Sequence, residues 1–208
     1  MGIPIVYRKS GEQAIATYNY VDVAEGAGYV VYYGYQLKTS GAAVTYGLRT
    51  TPIYSNDIEI SGASTSSWAK LWDLDFDITF NQPQTVDGKV LFNIPIHAYS
   101  GGSPQMSVYA YVRKWDGTTE TDIVSEQSNK QVAGGFPKIL SFSADAPQTI
   151  FKAGETLRVT LEVWGNSNPA STHVLAFDPK ERNGTNMTVG TNIGTTAFTV
   201  HVPFKLDL

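Results

Sequence analysis

Residues 151–166 read FKAGETLRVTLEVWGN, and the fold follows from how they alternate. Ala153-Gly154-Glu155 is a tight turn built on glycine. Beyond it Leu157, Val159, Leu161 and Val163 point one way, while Arg158, Thr160, Glu162 and Trp164 point the other. A strand with that period has one face for a core and one for solvent or a partner. Moving outward, LWDLDFDITF at 71–80 repeats the pattern, with Trp72, Leu74, Phe76, Ile78 and Phe80 set against Asp73, Asp75, Asp77 and Thr79. Lys89 to Tyr99, entered through an Asp87-Gly88 turn, carries Val90, Phe92, Ile94 and Ile96 inward. In 107–115 Val108, Ala110 and Val112 oppose Tyr109, Tyr111, Arg113 and Trp115. Asp116-Gly117 then reads as a hairpin turn returning the chain along 121–127. Further strands are expected at 136–144, 172–178 and 195–208. The last aligns Phe198, Val200, Val202, Phe204, Leu206 and Leu208 on one face.

About eight strands with turn signals at this spacing, and no amphipathic helix, predict an all-β fold, a jelly-roll-like β-sandwich. The local hairpin at Asp116-Gly117 argues against a strict jelly roll and keeps a Greek-key sandwich as the alternative. The sandwich is assigned to residues 71–208. Residues 1–70 read as an N-terminal arm with added short strands packed on that domain, because large apolar residues in periodic order are too few there for a separate core. Tyr29 to Tyr35 is the clearest strand in this part. Ile3, Pro4, Ile5, Val6 and Tyr7 form an apolar piece that Pro4 confines to a sheet edge or an extended arm.

Composition excludes several chemistries. The 208-residue chain contains no cysteine, so disulfides, thiolate nucleophiles and Cys-ligated metals are out. A net charge of −4 leaves no basic field for a nucleic-acid backbone, so no direct nucleic-acid contact is expected. The N-terminal stretch has no apolar run long enough for a signal peptide or a membrane span, which predicts a protein made and used without Sec export and without a membrane partner.

No catalytic constellation is legible, and the chain is expected not to be an enzyme. His97, His173 and His201 lack ligand or triad spacing, and strand parity places His97 and His201 on outward faces. Asp73, Asp75 and Asp77 share one face at steps of about 7 Å. Such a row either binds calcium or forms a solvated face that blocks edge-to-edge pairing; the second reading is preferred, and no cofactor is assigned. The outward aromatics Tyr99, Tyr109, Tyr111, Trp115 and Trp164 are the sharpest feature and form the candidate contact surface. Three readings stay open for them: cover by residues 1–70, a subunit contact, or stacking on sugar rings.

The segments YVDVAEGAG (20–28), RKWDGTTE (113–120), FKAGETLRVTLEVW (151–164), FDPKERNGT (177–185) and VPFKLDL (202–208) resemble those of virion-associated structural proteins of tailed bacteriophages, many of them marine. The resemblance spans most of the chain in the same order and carries no catalytic residues. It implies a capsid decoration or cement protein on the surface of the virion, assembled in the host cytoplasm. The expected partners are the major capsid protein, or other virion proteins, and further copies of the chain, with a homotrimer by analogy. Ile3 to Tyr7 would be the arm that reaches a neighbour. The alternative is a carbohydrate- or receptor-binding module of a phage fibre or tail. A shell-forming capsid subunit is disfavoured by the absence of a basic inner arm.

Overall fold

The computed structural model describes residues 27–37, 44–51, 59–63, 65–99, 103–133, 138–176 and 198–205. The arm Ile3 to Tyr7 lies outside them. Twelve strands are present among the described residues: β1 (Ala27–Leu37), β2 (Thr45–Arg49), β3 (Glu59–Ala63), β4 (Ala69–Thr79), β5 (Gln84–Tyr99), β6 (Gln105–Trp115), β7 (Glu120–Gln127), β8 (Gln131–Val132), β9 (Lys138–Phe151), β10 (Thr156–Asn166), β11 (Thr172–Ala176) and β12 (Thr199–Lys205). They hydrogen-bond in the order β3-β11-β5-β12-β1-β2-β4-β10-β6-β7, with β9 on the second edge of β5 and β8 on β6. All pairings are antiparallel except β2 with β4. Among the described residues no helix is long and apolar enough to cross a membrane.

The ladder folds over on itself as a β-sandwich around one core. Val90, Phe92, Ile94 and Ile96 of β5 and Val200 and Val202 of β12 face Leu74 and Phe76 of β4, Val159, Leu161 and Val163 of β10, and Val108, Ala110 and Val112 of β6, all buried. Each of these side chains larger than alanine contributes about 1.5–3 kcal/mol by leaving water, so the alternation seen in the sequence is also the source of stability. Edge-to-face ring contacts tie the layers together: Phe76 with Phe198 at 4.9 Å, and Phe80 with Phe151 at 5.2 Å.

The turn at Gly154 (φ 90°) docks on the end of β4, where Phe80 N–H donates to Glu155 O and Gly154 N–H to Phe80 O. That pair of bonds sets β10 beside β4 in register. The hairpin at Asp116-Gly117 is also present. Asp116 Oδ1 accepts from the Thr118 and Thr119 N–H groups, and Gly117 takes φ 99°. These bonds, that of Thr119 first, lower the Asp116 pKa.

Two expectations need correction. Asp87-Gly88 is no turn: β5 runs through it, and the register with β9 shifts there between Val86 and Gly88. Gly88 at φ 115° supplies a bulge, the other use of a residue that tolerates positive φ. The histidines are not at the surface. His97 and His173 are fully buried, and His201 is only 8% exposed. Parity placed His97 and His201 opposite Ile96 and Val200 correctly. That opposite face of β5 and β12 is itself covered, with Asn93 and Thr199 buried beside them.

The strands of residues 27–63 enter the ladder itself. β1 pairs with β12 and β2, and β2 hands the sheet on to β4. β1 and β2 bridge the two layers, because the edges of β12 and β4 would otherwise leave backbone groups unpaired, while β3 extends the ladder beyond β11.

His201 gives this arrangement a pH dependence. Its Nε2 lies 3.4 Å from Asn93 Nδ2 while its buried Nδ1 has no partner among the described residues, and burial lowers its pKa below the ordinary 6.5. The unfolded chain therefore takes up the proton first. Stability is complete above about pH 6.5 and falls with pH below it, by up to about 1.4 kcal/mol per unit, until the folded-state pKa is passed. Urea titrations at pH 7.5 and 5.5 should show a smaller loss for His201→Gln than for the parent chain.

Candidate functional site

The outward residues of β10 define a platform across four strands. In register, Thr79–Thr156–Trp115–Glu120, Asp77–Arg158–Arg113–Asp122, Asp75–Thr160–Tyr111–Ser125 and Asp73–Glu162–Tyr109–Gln127 form successive rows across β4, β10, β6 and β7. Lys70, Trp164 and Ser107 make a shorter fifth row after a bulge in the β4–β10 pairing. Period-two strands in register bring these residues together. The physical reason is that their neighbours in sequence fill the core on the other side.

Arg113 and Arg158 stand directly opposite each other, a like-charge pairing that costs stability unless it is offset. The offset is visible. Arg158 is held bidentately by Asp77, with both N–O distances 2.8 Å, and donates to Glu120 at 3.0 Å. Its pKa is raised chiefly by the bond to Asp77. Arg113 donates to Asp122 at 2.7 Å and to Thr160 Oγ1 at 3.1 Å, and Thr160 donates in turn to Asp75 at 2.6 Å. The aspartate row of β4 is therefore neither a bare acidic edge nor a cation cage. Asp77 and Asp75 balance the arginine pair, and Lys70 bridges Asp73 at 2.9 Å and Glu162 at 3.1 Å. Among the described residues no group of three or more His, Cys, Asp or Glu side chains could hold a metal ion.

Of the five aromatics singled out from the sequence, the platform gathers four. Arg113 lies 4.5 Å over the ring of Tyr111 and Arg158 5.3 Å over that of Trp115. Tyr109 and Trp164 meet edge to face at 6.3 Å, and Trp164 Nε1–H donates to Glu162 at 3.3 Å. All four are half-buried. Burial, followed by the Glu162 charge, raises the Tyr111 pKa. Tyr99 does not join them: it closes β5, opposite Thr172 of β11, in a separate part of the ladder.

Arg113, Arg158, Lys70, Glu120, Asp122 and Glu162 were not singled out as site residues. Parity put Arg113, Arg158 and Glu162 on the outward face, but nothing in one sequence states that β10 sits between β4 and β6. A polar groove of about 480 Å³ adjoins the platform at Gln127, where Gln127, Ser128 and Asn129 face Ile139 to Ser143 of β9; Glu126 is its only charged lining residue among the described residues.

The network makes a direct prediction. Replacing Arg158 by Met keeps the stem over Trp115 but strands Asp77 and leaves Glu120 only its longer contact with Arg113, at 3.4 Å. It should cost about 1–2 kcal/mol in low salt and visibly less near ~1 M NaCl, read from chemical denaturation. Equal losses in both salts would mean that the stem, not the charge, matters.

No protein-family model matches the chain, and no curated protein sequence matches it. Among solved structures, the chain is similar to an α-amino acid ester hydrolase with TM-score 0.56 and 9% identity, covering 84% of this chain and 36% of that one. A CocE/NonD family hydrolase from Staphylococcus aureus gives TM-score 0.52 and 14% identity over 86% of this chain and 37% of that one. An aminopeptidase from a marine sediment Thaumarchaeota archaeon gives 0.52 and 12% over 85% and 37%. The chain thus spans little more than a third of the length of these proteins, and the likeness shows the fold alone.

Proposed function

We propose that this chain is a non-enzymatic structural protein of a phage virion, a capsid decoration or cement subunit, that docks on other proteins through the β4–β10–β6–β7 platform. The observation that carries this reading is the platform itself. Rings, guanidinium groups and carboxylates are held in register on one sheet face, while Asp73 and Asp122 keep side-chain exposures of 51% and 65%. A rigid face presenting aromatics and arginines has the composition of an interaction hot spot. The resemblance to virion-associated proteins points the same way. The test is the solution mass of the purified chain by light scattering, with a parallel sample sedimented with heads of the encoding phage. An oligomer, trimeric by analogy, that travels with the heads supports the reading. A monomer that stays in the supernatant overturns it.

A second reading, a carbohydrate-binding module, is favoured by one feature: the Tyr109 and Trp164 rings carry no cation among the described residues. The Tyr111 and Trp115 rings each already have a guanidinium over one face, which leaves less open ring for a sugar. Glycan-array binding lost in Trp164→Ala would move the assignment to this class.

A further inference from the structure

Two arginines on the platform are held in the same way, with carboxylate at the guanidinium edge and an aromatic ring at its face. Arg158 has Asp77 and Glu120 at its edge and Trp115 at its face. Arg113 has Asp122 at its edge and Tyr111 at its face. The same parts recur further along the sheet. Asp73 and Glu162 lie in one cross-strand row with Tyr109, and Trp164 stands in the next. There the only cation is Lys70, which bridges the two carboxylates, and no cation covers either ring among the described residues. One ammonium balances one of two carboxylates, and its point charge leaves the planar, stacking part of the arrangement unused.

We infer that Asp73, Glu162, Tyr109 and Trp164 form a receptor for an arginine side chain carried by a partner protein. The inference rests on the docking role proposed above and names the partner's chemistry. Arginine fits where lysine does not, because its planar fork meets a carboxylate at two points and its flat face stacks on a ring. Charge decides against the same face of a second copy. Within the network Asp73, Asp75, Asp77, Glu120, Asp122 and Glu162 outnumber Lys70, Arg113 and Arg158, so two such faces repel each other. The arginine comes from a cationic surface of another protein, and Lys70 holds its place until that surface arrives.

The test titrates the ¹⁵N-labelled full chain with two blocked tripeptides, acetyl-Gly-Arg-Gly-amide and acetyl-Gly-Lys-Gly-amide, and follows the four tryptophan indole N–H signals, with Trp164 assigned by its loss in Trp164→Phe. The expected result is a saturable shift at Trp164 that is at least about fivefold tighter for the arginine peptide. Glu162→Gln should weaken it about tenfold, and Lys70→Gln, which removes the internal competitor, should tighten it. Equal response to the two peptides, a shift shared by all four indoles, or no response at Trp164 overturns the inference. If Glu162→Gln loses its fold, Asp73→Asn answers the same question from the other carboxylate. A chain that sediments with heads but ignores the arginine peptide retains the docking role without this receptor. A chain that binds the peptide but neither heads nor itself loses the docking role alone.

Discussion

Phe76→Ala should remove about 3–5 kcal/mol of stability, a large part of the roughly 5–15 kcal/mol that a domain holds. Phe76 sits fully buried on β4, where the ladder passes from one layer to the other. Its ring meets Tyr46 of β2 at 5.3 Å and Phe198, just ahead of β12, at 4.9 Å. Truncation opens a cavity at the joint between β2 and β4, whose parallel pairing involves only Tyr46 with Phe76 and Gly47 with Asp77. So short a ladder has little backbone bonding to close around the gap. Guanidinium denaturation should show the midpoint falling with an unchanged slope. A loss below about 1 kcal/mol would mean that the layers are joined elsewhere.

Gly34→Ala is the second large effect, and its sign depends on tertiary contact. In an exposed strand the added methyl would stabilise by about 0.4–1 kcal/mol through the unfolded chain. Here a Cβ would fall 2.1 Å from Cδ1 of Phe198 and 2.7 Å from Cε1, and that ring is fully buried against Phe76. The ring has nowhere to turn, and the strands are held by the Gly34 N–H bond to Phe198 O. The overpacking should cost about 2–3 kcal/mol. Adding Phe198→Leu should return part of that loss, and strict additivity in the double mutant would show that the two residues do not meet.

Most strands after residue 70 were legible because their large apolar residues alternate, and a period of two records a buried face without reference to any partner. The run of Leu157 to Val163 and that of Leu74 to Ile78 needed nothing else. Failures came where that local rule has no purchase. Asp87-Gly88 carries the composition of a turn, yet a glycine at positive φ serves a bulge equally well, and the choice lies in the register of β5 against β9. His97 and His201 obey parity but are buried, because parity reports which face a residue takes and not what covers that face.

The sequence by itself determined the fold class, most of the strands after residue 70 and the outward set Tyr109, Tyr111, Trp115 and Trp164, since those follow from the chain's own alternation. Only the tertiary structure decided which outward residues meet. Asp77 and Arg158 are 81 residues apart in the chain and become a bidentate ion pair because β10 lies between β4 and β6. Strand order is a property of pairing between distant segments, set by which edges find matching register and a shared core, and no local pattern encodes it.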